Sequence, residues 1–490
     1  MNHGKRQEIR PLCESLIDYG KKDYYPYHMP GHKRNGGIGE LSDSFQIDKI
    51  DITEIDGFDN LHQPEGILRE AQERAAALYG AEESFFLVNG STCGILAAVS
   101  AAADRGDRIL IARNCHKSVY YAAFLRELEV SYLYPGKIPE FDISDAVSPE
   151  DVRTALERFP ECRAVVVTSP TYEGVIADIR EIGRIVHEKD KILIVDEAHG
   201  AHLGLARNMP ENAVRQGADL VIHSLHKTLP SMTQTALLHV GGSRVNRERL
   251  RLYLRIYQSS SPSYVLMASM DACLLAVKEN AEADFARLER YYESFMRRME
   301  ACRNIRIGRP AAILRKGYCF RAWDICKLVI SVKGTSMNGQ ALYDALRDEF
   351  HLQMEMAAAS YVLAIMTIAD EEEGWQRLAD ALLRIDGRIE EKAESPLWSV
   401  EQALPSAKMS IAQALNKVYG SRASDNVKEV ALAQAAGSVS GGFVCLYPPG
   451  IPLLVPGEVI EAHMIGQIEE SLGLGLCVQG VSAEGTVIIC

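Results

Sequence analysis

The residues with the clearest chemical potential are a lysine, an aspartate and a Gly-Ser-Thr turn, each placed directly after a short apolar run. Lys227 stands in HSLHKT (223–228), just past LVIHS. An isolated lysine beside apolar sequence usually has a bland role. Burial and neighbouring cations, however, depress its pKa and turn the amine into a nucleophile toward an aldehyde. Asp196 ends ILIVD. A buried carboxylate needs a partner, which is a helix cap, a structural salt bridge or a protonated pyridine nitrogen; protonation strengthens a pyridine cofactor as an electron sink. NGST (89–92) follows FFLV and opens a helix. Gly90 permits close backbone approach, and the first-turn N–H groups with the Ser91 and Thr92 hydroxyls make either a phosphate site or an ordinary N-cap. Ser224 offers a further hydroxyl to a phosphate. His116, in RNCHKS (113–118), has a ring able to lie flat on an aromatic cofactor, though alone it reads as a structural histidine.

These residues need a scaffold that gathers strand ends along one edge. From about residue 84 to 240, the runs SFFLV, RILIA, VSYLY, AVVVT, ILIVD, LVIHS and ALLHV alternate with amphipathic stretches. They are rich in Val, Ile and Leu on both faces, as a helix-covered sheet requires. The pattern predicts βαβ units and a mostly parallel sheet, and in such sheets ligands bind at the C-terminal strand ends. A small α+β domain is predicted from KLVISV (327–332), a helix near Gln340–Phe350, VLAIMTI (362–368) and a helix near Glu372–Ile385. The segment AESPLWSV (393–400) marks a further boundary, followed by a helix near Met409–Tyr419 and the loop YPPGIPLLVPGE (447–458). The expected division is an extension over 1–80, a large domain over 81–300, a small domain over 301–392 and a C-terminal domain over 393–490.

Composition narrows the function classes. The chain has 490 residues, 47% hydrophobic and 24% charged, with a formal charge of -13, which fits a multidomain soluble protein and argues against a general nucleic-acid binder. Eleven cysteines without a CxxC pair read as reduced thiols, neither a disulfide framework nor a structural zinc site. The N-terminal segment lacks a signal-peptide core, and no apolar run is long enough to span a membrane, so a cytoplasmic protein is expected. DEAH (196–199) matches a helicase-type motif, but PGHK (30–33) and PGKI (135–138) do not form the phosphate loop that reading needs. His199 and His202 lack nominated co-ligands for zinc, and no metal is expected.

HMPGHK (28–33), FDNLHQPEGIL (58–68), NGST, RNCHKS, SPTYEGV (169–175), DEAHGAH (196–202), SLHKTLPSMTQTA (224–236), SSSPSY (259–264) and YPPGIPLLVPGE together resemble the bacterial ornithine/lysine/arginine decarboxylase family. They resemble its short form, within the fold-type-I enzymes of the aspartate aminotransferase superfamily that use pyridoxal 5'-phosphate. The resemblance covers residues from about 27 to 458. It implies that Lys227 holds the cofactor as a Schiff base, that Asp196 pairs with the pyridine nitrogen, and that His116 and Ala198 flank the ring. Gly90, Ser91, Thr92 and Ser224 would hold the phosphate. His199 and His226 would lie near the cofactor. The site would sit at the subunit interface of a homodimer or higher homo-oligomer, where Ser260 or Ser261 reaches the partner's phosphate; a threonine usual in that family loop is missing here.

The implied reaction is decarboxylation of arginine, lysine or ornithine to the corresponding amine, a step of polyamine biosynthesis. An acidic group must meet the substrate's distal cation, and Glu458 and the cluster Asp51, Glu54, Asp56 and Asp59 are the candidates. The Lys–Asp–phosphate set also serves transamination and lyase chemistry, so another pyridoxal phosphate reaction stays open, as does a non-catalytic regulator on the same fold.

Overall fold

The computed structural model describes residues 11–22, 47–309, 317–392, 406–420, 427–447 and 450–490. The motifs HMPGHK (28–33) and AESPLWSV (393–400) lie outside the described residues. The chain divides into two compact units, one formed by Met1–Ala101 and Glu197–Phe285, the other by Ala102–Asp196 and Ala286–Cys490.

All seven apolar runs form strands: β1 (Glu83–Leu87), β2 (Arg108–Ala112), β3 (Glu129–Leu133), β4 (Ala164–Thr168), β5 (Ile192–Asp196), β6 (Leu220–Ser224) and β7 (Ala236–Val240). The helices among them include α1 (Leu12–Gly20), α2 (Ile67–Tyr79), α3 (Gly90–Ala102), α4 (Lys117–Leu125), α5 (Ile179–Glu188), the single turn α6 (Leu225–Thr228) and α7 (Arg247–Tyr257).

In the first unit β7 lies between β1 and β6 and runs antiparallel to both. The connection Leu225–Thr235 is too short for a crossover, so the chain turns back on itself. Every residue of β6 and β7 is buried. The small residues of GILAAVSAAA let α3 pack closely: a Cβ on Gly94 would come within 2.6 Å of Leu87 Cδ1, so a larger residue there must displace that side chain. In the second unit β2 pairs in parallel with β3 and β4, and β4 with β5, as the runs of Val, Ile and Leu predict. Helix α5 starts where the Asp178 side chain accepts the Glu181 N–H, and it buries Ile179, Ile182, Ile185 and Val186 at helical spacing. Burying each such side chain contributes about 1.5–3 kcal/mol.

The predicted α+β segment is present as β8 (Lys327–Ser331), α8 (Gly339–Phe350), β9 (Tyr361–Ile365) and α9 (Glu372–Asp386), with β8 and β9 antiparallel. Beyond it lie α10 (Ile411–Tyr419), β10 (Val444–Leu446), β11 (Ile451–Leu454) and α11 (Ala462–Gly473). A local core of Val444, Leu454, Ile460, Met464, Ile468 and Val487 holds this last region together.

Candidate active site

Strand β6 ends at Ser224, and the chain turns at once into α6, which carries Lys227. Lys227 is half-buried, and its Nζ lies 3.0 Å from His199 Nε2. An ammonium only donates, so against it Nε2 is the acceptor and the neutral His199 proton sits on Nδ1. The turn is fixed from behind: the Thr235 carbonyl accepts the Leu225 N–H at 3.1 Å and His226 Nδ1–H at 2.9 Å. Burial pushes the His226 pKa down, and the Lys227 charge adds to this against the opposing hydrogen bond to Thr235. The neutral His226 therefore keeps Nε2 as an acceptor. Ser224 Oγ and Thr228 Oγ1 are buried without a hydrogen-bond partner among the described residues. An orphaned buried hydroxyl is costly, so its persistence points to a missing acceptor or donor.

In the same unit the chain leaves β1 and enters α3 at Gly90, whose φ is +72°. A Cβ would strain that turn. The first-turn amides of α3 have no intrahelical acceptor, with Ser91 half-buried and Thr92 exposed beside them. The Asn89 side chain accepts the Ser259 N–H at 3.3 Å, which ties the SSSPSY loop to this turn. Ser260 and Ser261 are exposed on that loop. Ala198 is buried, and its carbonyl accepts the Ser224 N–H at 3.3 Å.

In the second unit Asp196 closes β5 and is only 4% exposed; its carbonyl accepts the Ser169 N–H at 3.1 Å. His116 caps α4: its Nδ1 accepts the Ser118 N–H at 3.2 Å, so the neutral ring carries its proton on Nε2. Gly450 packs beside that ring with φ +87°, its carbonyl accepting the Lys117 N–H at 3.3 Å. A Cβ there would reach to 3.6 Å from His116 Nε2 and Cδ2.

Comparison with known proteins decides the family. Residues 10–341 match the model of the Orn/Lys/Arg decarboxylase major domain, and residues 398–469 match that of the Orn/Lys/Arg decarboxylase C-terminal domain. The chain belongs to the Orn/Lys/Arg decarboxylase family. It is 34% identical to the uncharacterized protein YaaO of Bacillus subtilis, covering 96% of each chain. It is 30% identical to an arginine decarboxylase of the same organism, covering 97% of this chain and 96% of that one. A crystal structure of the lysine decarboxylase LdcF of Francisella novicida shares the fold, with a TM-score of 0.81 at 19% identity over 98% of this chain and 80% of that one.

Within this decarboxylase, two acids nominated from sequence for a substrate cation have other occupations. Both Asp59 oxygens accept backbone N–H groups, from Asn60, Glu65, Gly66 and Leu68, at 2.7–3.2 Å. Asp59 itself has φ +68°, so it organises the loop that leads into α2. Glu458 is 2% exposed, and one of its oxygens accepts from Arg113 at 3.1 Å and from the Val455 N–H at 2.8 Å. Arg113 also donates to the Pro452 and Leu453 carbonyls, so this pair fastens β11 beside the start of α4. Burial pushes the Glu458 carboxyl up, against the pull of Arg113.

Sequence reasoning missed a buried polar chain in the first unit of the decarboxylase. Glu197 Oε2 lies 2.7 Å from His223 Nε2, His223 Nδ1 lies 3.1 Å from His239 Nε2, and His239 Nδ1 lies 2.6 Å from Ser84 Oγ. Both Glu197 oxygens also receive the Ala213 N–H, at 3.0 and 3.1 Å. Tyr79 packs against both histidines with ring centroids 4.7 Å away. Burial lowers His223 to about 3 and drives the Glu197 carboxyl well up, so the pair is neutral despite its salt-bridge geometry. The signal was a histidine inside each of two otherwise apolar strands, LVIHS and ALLHV, since a buried ring nitrogen demands a partner.

Proposed function

We propose that this enzyme removes the carboxyl group of a basic amino acid as carbon dioxide and releases the corresponding amine, with pyridoxal 5'-phosphate held by Lys227. The observation that carries the reading is the half-buried Lys227 amine, 3.0 Å from His199 and on a turn that begins at the unpartnered, buried Ser224 hydroxyl. An aldehyde and a phosphate would satisfy that amine and that hydroxyl, so the residues fit the cofactor. When bound, pyridoxal phosphate supplies the sink for the electrons left behind by carbon dioxide.

The chain's own residues supply the rest. His199 Nε2 is placed to take a proton from Lys227 Nζ, which leaves the amine nucleophilic. Gly90 and the first-turn amides of α3, with Ser91, Thr92 and Ser224, bind the phosphate; Ser261 serves the partner subunit's phosphate in a homodimer. Asp196, buried at the end of β5, holds a proton on the pyridine nitrogen. His116, fixed by Ser118, and Ala198 orient the ring faces. Lys227, His199 and His226 are the groups available to move protons at the reacting carbon. Arginine is the first substrate to test, because a relative 30% identical over nearly its whole length is an arginine decarboxylase. A cytoplasmic enzyme of polyamine biosynthesis follows from this reading.

Incubation of purified protein and cofactor with arginine, lysine and ornithine, followed by amine and carbon dioxide detection, tests it. One amine in equal yield with carbon dioxide is expected. A keto acid without amine identifies a transaminase, and no turnover with normal cofactor binding identifies a regulator; either outcome overturns the proposal.

A further inference from the structure

The turn that carries Lys227 returns to β7 through Gln234, and Gln234 has φ +83°. That is the left-handed region, which side chains other than Gly, Asn and Asp rarely adopt. Such strain persists where surrounding contacts over-determine it. Here the contacts are visible. Gln234 Nε2 donates to the Val88 carbonyl at 2.5 Å. The Val88 N–H donates to Gln258 Oε1 at 2.9 Å, so Val88 is held from both sides. Two residues further on is Gly90, and the Gln234 carbonyl lies 3.9 Å from where a Cβ on Gly90 would sit. On its other side Gln234 adjoins Thr235, whose carbonyl accepts from Leu225 and His226. One strained residue thus joins the lysine turn to the turn that opens α3.

We infer that Gln234 is a positioning residue that sets the spacing between Lys227 and the phosphate-binding turn Gly90–Thr92, so that the cofactor is gripped at its aldehyde and its phosphate together. The inference rests on the cofactor reading above and deepens it. The left-handed backbone aims the side chain at Val88, and the amide reaches it; both features are needed. A glycine keeps the backbone and loses the amide. An asparagine tolerates the backbone but falls one methylene short.

The test is titration of the apoenzyme with pyridoxal phosphate and with pyridoxal, which lacks the phosphate, read by absorbance and without turnover. Gln234→Gly and Gln234→Asn are expected to weaken pyridoxal phosphate by about two- to tenfold, the loss expected for one part-buried hydrogen bond from an exposed side chain. Pyridoxal should weaken much less, so the ratio of the two affinities falls, while the apoenzyme melting temperature stays near that of wild type. If both ligands weaken in the same proportion, or neither weakens, Gln234 is merely structural and the inference fails. The glycine variant, which relieves the strain, remains foldable even if the asparagine variant does not. A wild-type protein that binds no pyridoxal phosphate sinks the cofactor reading itself, an outcome distinct from variants that bind like wild type.

Discussion

Replacing Glu197 by alanine removes the head of the buried chain that runs through His223 and His239 to Ser84. Two groups lose their partner: the Ala213 N–H, which meets both Glu197 oxygens, and His223 Nε2, 2.7 Å from one of them. Both are buried, and each orphaned group costs about 1–3 kcal/mol. The expected loss is therefore about 2–6 kcal/mol, a large share of a typical folding free energy. Glu197→Gln behaves differently. The glutamine amide donates to His223 Nε2 as a neutral carboxyl does, and its carbonyl accepts from Ala213, so the cost stays below about 1 kcal/mol. Urea unfolding of the apoenzyme, followed by far-ultraviolet circular dichroism, compares the two variants. The reasoning is refuted if glutamine costs as much as alanine, which would mean that Glu197 is ionised in the fold, or if alanine costs less than about 1 kcal/mol.

The same network gives a pH dependence. His223 stays neutral in the fold down to about 3, whereas the unfolded chain takes its proton below the ordinary 6.5. Its contribution is fully present above that ordinary value and is lost as pH falls from 6.5 toward about 3, with a slope of at most about 1.4 kcal/mol per pH unit; His223→Gln should flatten this acid limb in urea titrations. Asp196→Asn should leave the apoenzyme fold intact and lower turnover about tenfold to hundredfold, as loss of one charged hydrogen bond implies; near-normal turnover in a steady-state assay would count against pairing with the ring nitrogen. Glu458→Ala strands the mostly buried Arg113 and should cost about 3–5 kcal/mol, seen as faster proteolysis in the region of β11; unchanged proteolysis would contradict the anchoring role.

The strands were legible because each is a short, doubly buried run of Val, Ile and Leu bounded by turn residues. The direction of β7 was not, since alternation along a strand carries no polarity and only the short Leu225–Thr235 return sets it. That Lys227 follows a strand end and that Gly90 opens a helix was legible from the apolar runs beside them. Glu197, His223, His239 and Ser84 were not, because they are far apart in sequence and meet only through strand register, as in the pairing of His239 with Ser84. Asp59 and Glu458 were legible as acids, but their contacts to backbone N–H groups and to Arg113 were not, because charge alone does not show which groups a carboxylate meets in the fold.

Lys227 carries the central claim, and one comparison tests it directly. Wild type and Lys227→Ala are each loaded with pyridoxal phosphate and desalted. Their visible absorbance is then recorded, and amine release from arginine, lysine and ornithine is measured in the same samples. Wild type should retain the cofactor band and form amine, and the variant should lose both. A variant that keeps the band and the turnover would contradict that claim.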